Sequence, residues 1–268
     1  MNILSVDQLN FSYSENKIFD NLSFSIQNKS INCVIGSNNC GKTTLIKILS
    51  GILQSHGEIT LSEVNLNKKN IKQYSLMIGC SIFSLKNKFV CDKVIDEIVF
   101  PLENLCFSKK EIKTKLNEIS ELFEIKEILK KKINDLSNYE QVKIELASLL
   151  IYNPKIVFLD DIFEGLTFKE YNDMINIIKE AIDKYDVSFV YTTNKLENAI
   201  LSDKIIFINN KKVDLEGSVN EILKHDNYLL KSGINIPKMI DLSLKLNFYN
   251  LLDEVIMDTD RMVDTLWR

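Results

Sequence analysis

Eight consecutive residues, Gly36-Ser37-Asn38-Asn39-Cys40-Gly41-Lys42-Thr43, fit the spacing G-x-x-x-x-G-K-[ST]. Each fixed position has a chemical reason. The glycines let backbone N–H groups close around a phosphate, the lysine reaches the β- and γ-phosphates of a nucleotide, and the threonine hydroxyl ligates Mg²⁺. Asn38 and Asn39 suit a tight loop, because asparagine tolerates left-handed backbone better than most residues. Cys40 falls beside a helix N-terminus, where a thiol pKa is expected to drop. It reads as a reactive thiol or as a small residue in place of serine, the second being favoured. Thr44 completes the phosphate-side set.

Such a loop works between a strand and a helix. Residues 31–35 (INCVI) are a short β-branched run that predicts a buried strand, and Thr43 to Leu49 has helical spacing. The N–H groups and partial positive charge at that helix N-terminus suit an anion. An acidic companion follows later: residues 156–159 (IVFL) predict a buried strand ending in Asp160-Asp161, with Asp160 placed to hold Mg²⁺ through water. Residues 2–14 and 18–26 alternate as antiparallel strands do, and residues 57–61 read as another strand. Helical spacing covers 109–133, 139–151 (stopped before Pro154) and 168–185, with strands at 187–191 and 204–209. This alternation predicts an α/β fold with a parallel sheet.

Composition narrows the class. The 268 residues, 45% hydrophobic, suffice for one substantial core. No apolar window is long enough to span a membrane, and the first residues do not form a signal peptide. Five cysteines without paired spacing fit a reducing cytoplasm. A net charge of −4 argues against nucleic acid as the main partner. The only arginines are Arg261 and Arg268, so residues 1–219 hold none that could act on a transferring phosphate. His56 and His225 lie in no motif and read as surface residues, and Trp267 reads as either an interface anchor or a locally packed residue.

Further matches identify a family. Tyr13 stands where an aromatic residue stacks on adenine, and Leu136-Ser137-Asn138-Tyr139-Glu140 stands where a signature LSGGQ belongs. Leu159 to Thr167 (LDDIFEGLT) aligns with LDEPTAGLD, and Thr193-Asn194-Lys195 with a T-H-D switch. Over nearly its whole length the chain resembles an ABC-type ATPase, the nucleotide-binding subunit of a membrane transporter. The stretch from Gly79 to Asn104, ending VFPLEN, and the segment 229–237 (LLKSGINIP) resemble the energy-coupling factor (ECF) ATPases, which drive uptake of vitamins and metal ions.

The resemblance implies a P-loop NTPase fold of ABC type with an antiparallel β subdomain. A nucleotide-binding domain would span 1–219, with a helical subdomain at about 93–150, and 220–268 would form a helical dimerisation extension. It implies ATP and Mg²⁺ as cofactors, with Thr43 and Asp160 on the metal. The implied partners are a second ABC ATPase subunit, a membrane coupling subunit and a substrate-binding membrane subunit. The implied location is the cytoplasmic face of the membrane.

The departures from the family pattern bear on hydrolysis. Asp161 replaces the catalytic Glu that acts as general base, and is one methylene shorter. Asn194 replaces the switch His and cannot carry its charge. Phe83, or Ser84 on a one-residue shift, stands at the γ-phosphate-sensing Gln. In the part that faces the partner's site, Ser137 is kept, but Asn138 and Tyr139 replace two glycines. Glu140, in place of Gln, brings negative charge near a triphosphate, and Thr167 replaces the Asp that crosses between sites. The expectation is a subunit that binds Mg-ATP, hydrolyses it poorly and pairs with a better-equipped sibling. A GTPase, suggested by Asn194-Lys195-Leu196-Glu197 beside the guanine-reading NKxD, is the weaker reading. A non-transport ABC ATPase and a pseudo-ATPase scaffold are further alternatives.

Overall fold

The computed structural model describes residues 1–82, 89–249, 251–252, 256 and 259–266. Phe83, Ser84 and Trp267 lie outside the described residues. Two sheets organise the fold. The first is antiparallel, β2-β1-β4-β5, from β1 (Asn2–Tyr13), β2 (Asn16–Gln27), β4 (His56–Leu61) and β5 (Val64–Asn65). The second runs β10-β9-β3-β8-β7-β6, from β3 (Ile31–Ile35), β6 (Ile78–Ile82), β7 (Ile156–Asp160), β8 (Ser188–Thr193), β9 (Lys204–Asn209) and β10 (Lys212–Gly217). Its pairings are parallel except that of the β10 edge.

Strand β3 is buried along its whole length, as a central parallel strand is. Its period of two divides the core. Ile31, Cys33 and Ile35 join the apolar cluster shared with the helices that follow, whereas Val34 joins the cluster between the two sheets. The second cluster also takes Leu45, Ile46, Ile48 and Leu49 of α1 (Lys42–Leu49), the helix that leaves the glycine loop. The short α2 (Ile71–Leu76) contributes Tyr74 to it.

Between about residues 93 and 150 lie α3 (Val94–Asn104), α4 (Lys109–Leu122) and α5 (Asn138–Leu150). The continuous helix expected over 109–133 is shorter. It stops at Leu122, because Glu124 turns left-handed (φ 54) and Ile125 N–H donates to Ser120 O at 3.0 Å. That turn buries Phe123 and Ile125 together, so packing overrides the helical period. The α6 helix (Phe168–Tyr185) spans the expected residues. Helical segments α7 (Val219–Leu223), α8 (Asp226–Lys231), α9 (Lys238–Phe248) and α10 (Thr259–Leu266) end the chain. Leu229, Ile234 and Ile240 of this tail lie in the large core cluster, so the tail packs directly onto the sheet domain.

Four helices begin with the same device. Ser108, Ser137, Thr167 and Ser218 cap α4, α5, α6 and α7, each paired reciprocally with a glutamate three residues on. These bonds hold Glu111, Glu140, Glu170 and Glu221 below the usual carboxylate range. For Glu111 the Ser108 hydroxyl is the main cause, and for the others the backbone N–H of the cap. The stability they contribute is therefore present at neutral pH and lost as pH falls through the lowered values. Thr167→Ala should cost about 1 kcal/mol, read as a lower urea midpoint at unchanged slope.

Candidate functional site

Strands β3, β8 and β7 end side by side, with Ile35 opposite Thr193 and Leu159 opposite Tyr191. Ligands bind at this carboxyl edge in open α/β sheets. The edge gathers Gly36, Asn194 and Asp161, the residues that directly follow the three strands.

The glycine loop is built by close approach. A Cβ on Gly36 would lie 2.5 Å from Cys40 Sγ and 2.7 Å from Ile208 O. Gly41 has φ 105, and a Cβ there would meet Ile18 Cγ2 at 2.7 Å. Asn39 takes the left-handed backbone (φ 64) that asparagine tolerates. Gly41 gives α1 no side-chain cap, which suits its first N–H groups to an anion. Lys42 is buried, and its Nζ donates to Gly36 O at 2.9 Å and Ser37 O at 3.1 Å, so the ammonium lies along the loop. The lowered thiol pKa expected at Cys40 is corrected, and the favoured reading as a small residue is unaffected: burial pushes the thiol up, outweighing the nearby Lys42 charge. Cys40 is a packed small residue and not an activated thiol.

Thr43 Oγ1 donates to Asp160 Oδ2 at 2.7 Å. The other Asp160 oxygen accepts from Thr192 Oγ1 at 2.8 Å, which in turn accepts from Asp161 N–H at 2.9 Å. Thr192 thus sets both acidic residues, a role nothing in the run FVYTT marks. The hydroxyl and carboxylate at Thr43 and Asp160 are adjacent hard oxygen donors and fit Mg²⁺, with Asp160 acting through water. Among the described residues no cluster of three His, Cys, Asp or Glu could hold a metal alone. Phosphate oxygens normally complete a Mg²⁺ shell of this kind. Asp161 is half-buried with φ 47, and burial first, then the Asp160 charge, raises its pKa.

Asn194 donates through Nδ2 to Asn38 Oδ1 at 2.8 Å, across the mouth of the loop. It therefore sits beside the glycine loop. Tyr13 is 45% exposed at the end of β1, with its hydroxyl 3.5 Å from Thr44 Oγ1 and its ring edge-on to Phe11. Its ring is open to a planar base next to the start of α1. His56 and His225 are exposed, as expected.

The segment Ser137–Glu140 forms the first turn of α5 and makes no described hydrogen bond to the glycine loop. Ser137 Oγ donates to Glu140 Oε2 at 3.0 Å, so the carboxylate is folded onto its own helix cap. Tyr139 is half-buried, with Lys143 Nζ 4.9 Å from its ring centroid. Asn138 Nδ2 donates to Glu164 O at 3.3 Å. Thr167, in its capping box, has its hydroxyl engaged by Glu170 at 2.8 Å. Glu164 and Lys195, to which the sequence analysis gave no role in the nucleotide site, pair at 3.0 Å.

Residues 19–164 match the protein family described as ABC transporter. An energy-coupling factor transporter ATP-binding protein of Mycoplasma genitalium is 29% identical, covering 88% of this chain and 86% of that protein. One from Ureaplasma parvum is 27% identical over 98% of this chain and 90% of that protein. Among solved structures, cbiO1 from Clostridium perfringens, described as part of the ABC transporter complex cbiONQ, superimposes with a TM-score of 0.78. It shares 21% identity, over 90% of this chain and 98% of its own.

Proposed function

The chain belongs to the ABC transporter family, and from that premise we propose that it is the ATP-binding subunit of an energy-coupling factor type importer. The observation that carries the reading is the meeting of Thr43 and Asp160 at 2.7 Å, at the uncapped start of α1 beside buried Lys42. Tyr13 receives the adenine, the α1 N-terminus and Lys42 hold the phosphates, and Thr43 and Asp160 hold Mg²⁺. Bound there, the metal would neutralise charge on the nucleotide's phosphates.

The similarity to energy-coupling factor ATP-binding proteins over most of both chains supports an importer for a vitamin or metal ion. The partners proposed are a second ABC ATPase, a membrane coupling subunit and a substrate-binding membrane subunit. Among the described residues no helix is long and apolar enough to cross a membrane, which fits a peripheral subunit on the cytoplasmic face. The tail from about residue 220 is proposed as the dimer contact. It carries exposed Leu242, Phe248, Tyr249 and Leu251.

Within that assembly this is the weakly hydrolysing member of a heterodimer. Asp161 lacks the reach of a glutamate and Asn194 cannot carry charge. Titration calorimetry of the purified chain should show Mg-ATP binding at or below millimolar concentration with little turnover. Purification from the native membrane should bring down a second ATPase with intact Glu and His. Failure to bind at millimolar nucleotide would leave a pseudo-ATPase scaffold. Ordinary turnover that Lys42→Ala abolishes would refute the weak-hydrolysis reading.

A further inference from the structure

Three side-chain contacts run end to end across the site. Asn194 Nδ2 donates to Asn38 Oδ1 in the glycine loop at 2.8 Å. The next residue, Lys195, donates through Nζ to Glu164 Oε1 at 3.0 Å. Glu164 O accepts from Asn138 Nδ2 at 3.3 Å, at the first residue of α5. Gly165 lets this last contact form, since a Cβ there would stand 3.3 Å from the Asn138 amide nitrogen. The contacts link the chain's own phosphate loop to the turn that faces the partner's nucleotide in the proposed assembly.

We propose that Lys195 and Glu164 are positioning residues that report a γ-phosphate in this chain's own site to the first turn of α5. The inference rests on the nucleotide-binding reading above. With no γ-phosphate present, the Asn194 amide is held by a neutral amide oxygen. A phosphate oxygen is a stronger, charge-assisted acceptor and draws that N–H away from Asn38. Lys195 follows Asn194 directly in the chain, so the loop that moves carries the ammonium with it. The ion pair passes the movement to Glu164, and the Glu164 carbonyl passes it to Asn138. ADP has no γ-phosphate and leaves the Asn38–Asn194 contact in place. The two partners of the ion pair are 43% and 48% exposed, so the signal is modest and screened by salt.

The test compares amide hydrogen exchange at residues 138–141 of the full chain with saturating Mg-ATP and with saturating Mg-ADP. The parent chain should differ between the two by about threefold, within what an exposed ion pair can transmit. Lys195→Ala and Glu164→Ala should each erase that difference. The double swap Lys195→Glu with Glu164→Lys should restore it, which a merely structural role would not do. Each variant is paired with a measured nucleotide affinity. A difference that survives both single substitutions overturns the proposal, as does no difference in a parent chain that binds both nucleotides. A parent chain that binds neither nucleotide overturns the reading of the site and this inference together.

Discussion

Lys42→Ala is expected to weaken Mg-ATP binding by about 100-fold or more. The Nζ atom is already buried in the loop, donating to the carbonyls of Gly36 and Ser37 at 2.9 and 3.1 Å. An ammonium has three donors, so one remains for phosphate even in this arrangement, and more if the loop carbonyls yield theirs. Hydrogen bonds to charged groups contribute roughly 1.5–3 kcal/mol each, and two to the β- and γ-phosphates account for the expected loss. The substitution also strips two carbonyls of a partner. Thermal melting without nucleotide therefore has to accompany the calorimetry. A variant that melts near the parent yet binds Mg-ATP as tightly would remove Lys42 from the site.

In the assembled transporter, Asp161→Asn should remove about 100-fold of the turnover that this composite site retains, the low end of what a positioned general base contributes. The measurement needs a partner ATPase whose own phosphate-loop lysine is replaced, so that only one site turns over. Burial and the neighbouring Asp160 charge raise the Asp161 pKa, with Lys42 opposing. The ionised form that accepts a proton is therefore populated only above a raised value. In the nucleotide-free chain Asp161 should therefore titrate above an ordinary aspartate, as followed by NMR of its carboxyl group. The raised value favours proton acceptance, so any shortfall against a glutamate at this position would lie in reach. Asp161→Glu, which restores the missing methylene, should raise turnover by about tenfold. Equal rates for Asp161→Asn and the parent would show that the residue is not the base.

What could be read from the sequence was local. The run INCVI declared a buried strand because both of its faces are apolar or packed, and IVFL did the same for β7. The glycine loop was legible because its geometry is fixed by residue types at adjacent positions. The end of α4 was not, since Glu124 turns left-handed only so that Phe123 and Ile125 can be buried together. The depressed thiol expected at Cys40 failed for a similar reason. Its pKa is governed by burial among side chains brought from elsewhere in the sequence. Thr192 and the Asn38–Asn194 contact were invisible because their partners lie 32 and 156 residues away. The S/T-x-x-E pattern starts four helices, and at residues 137–140 it overlaps the signature position, so the same residues fit both a helix cap and a phosphate contact.

The packing of the tail onto the sheet domain also sets a schedule. Gly233 sits against Ser37 of the glycine loop, where even an added Cβ would be 3.8 Å from the Ser37 Cβ. Leu229 and Ile234, on either side of it, are fully buried in the large core. The loop leaves the ribosome well before Gly233, which lies beside it in the fold. At about 5–20 residues per second, roughly 10–40 s separate the synthesis of Thr43 from that of Gly233. Throughout that interval the nascent phosphate loop is without its Gly233 neighbour.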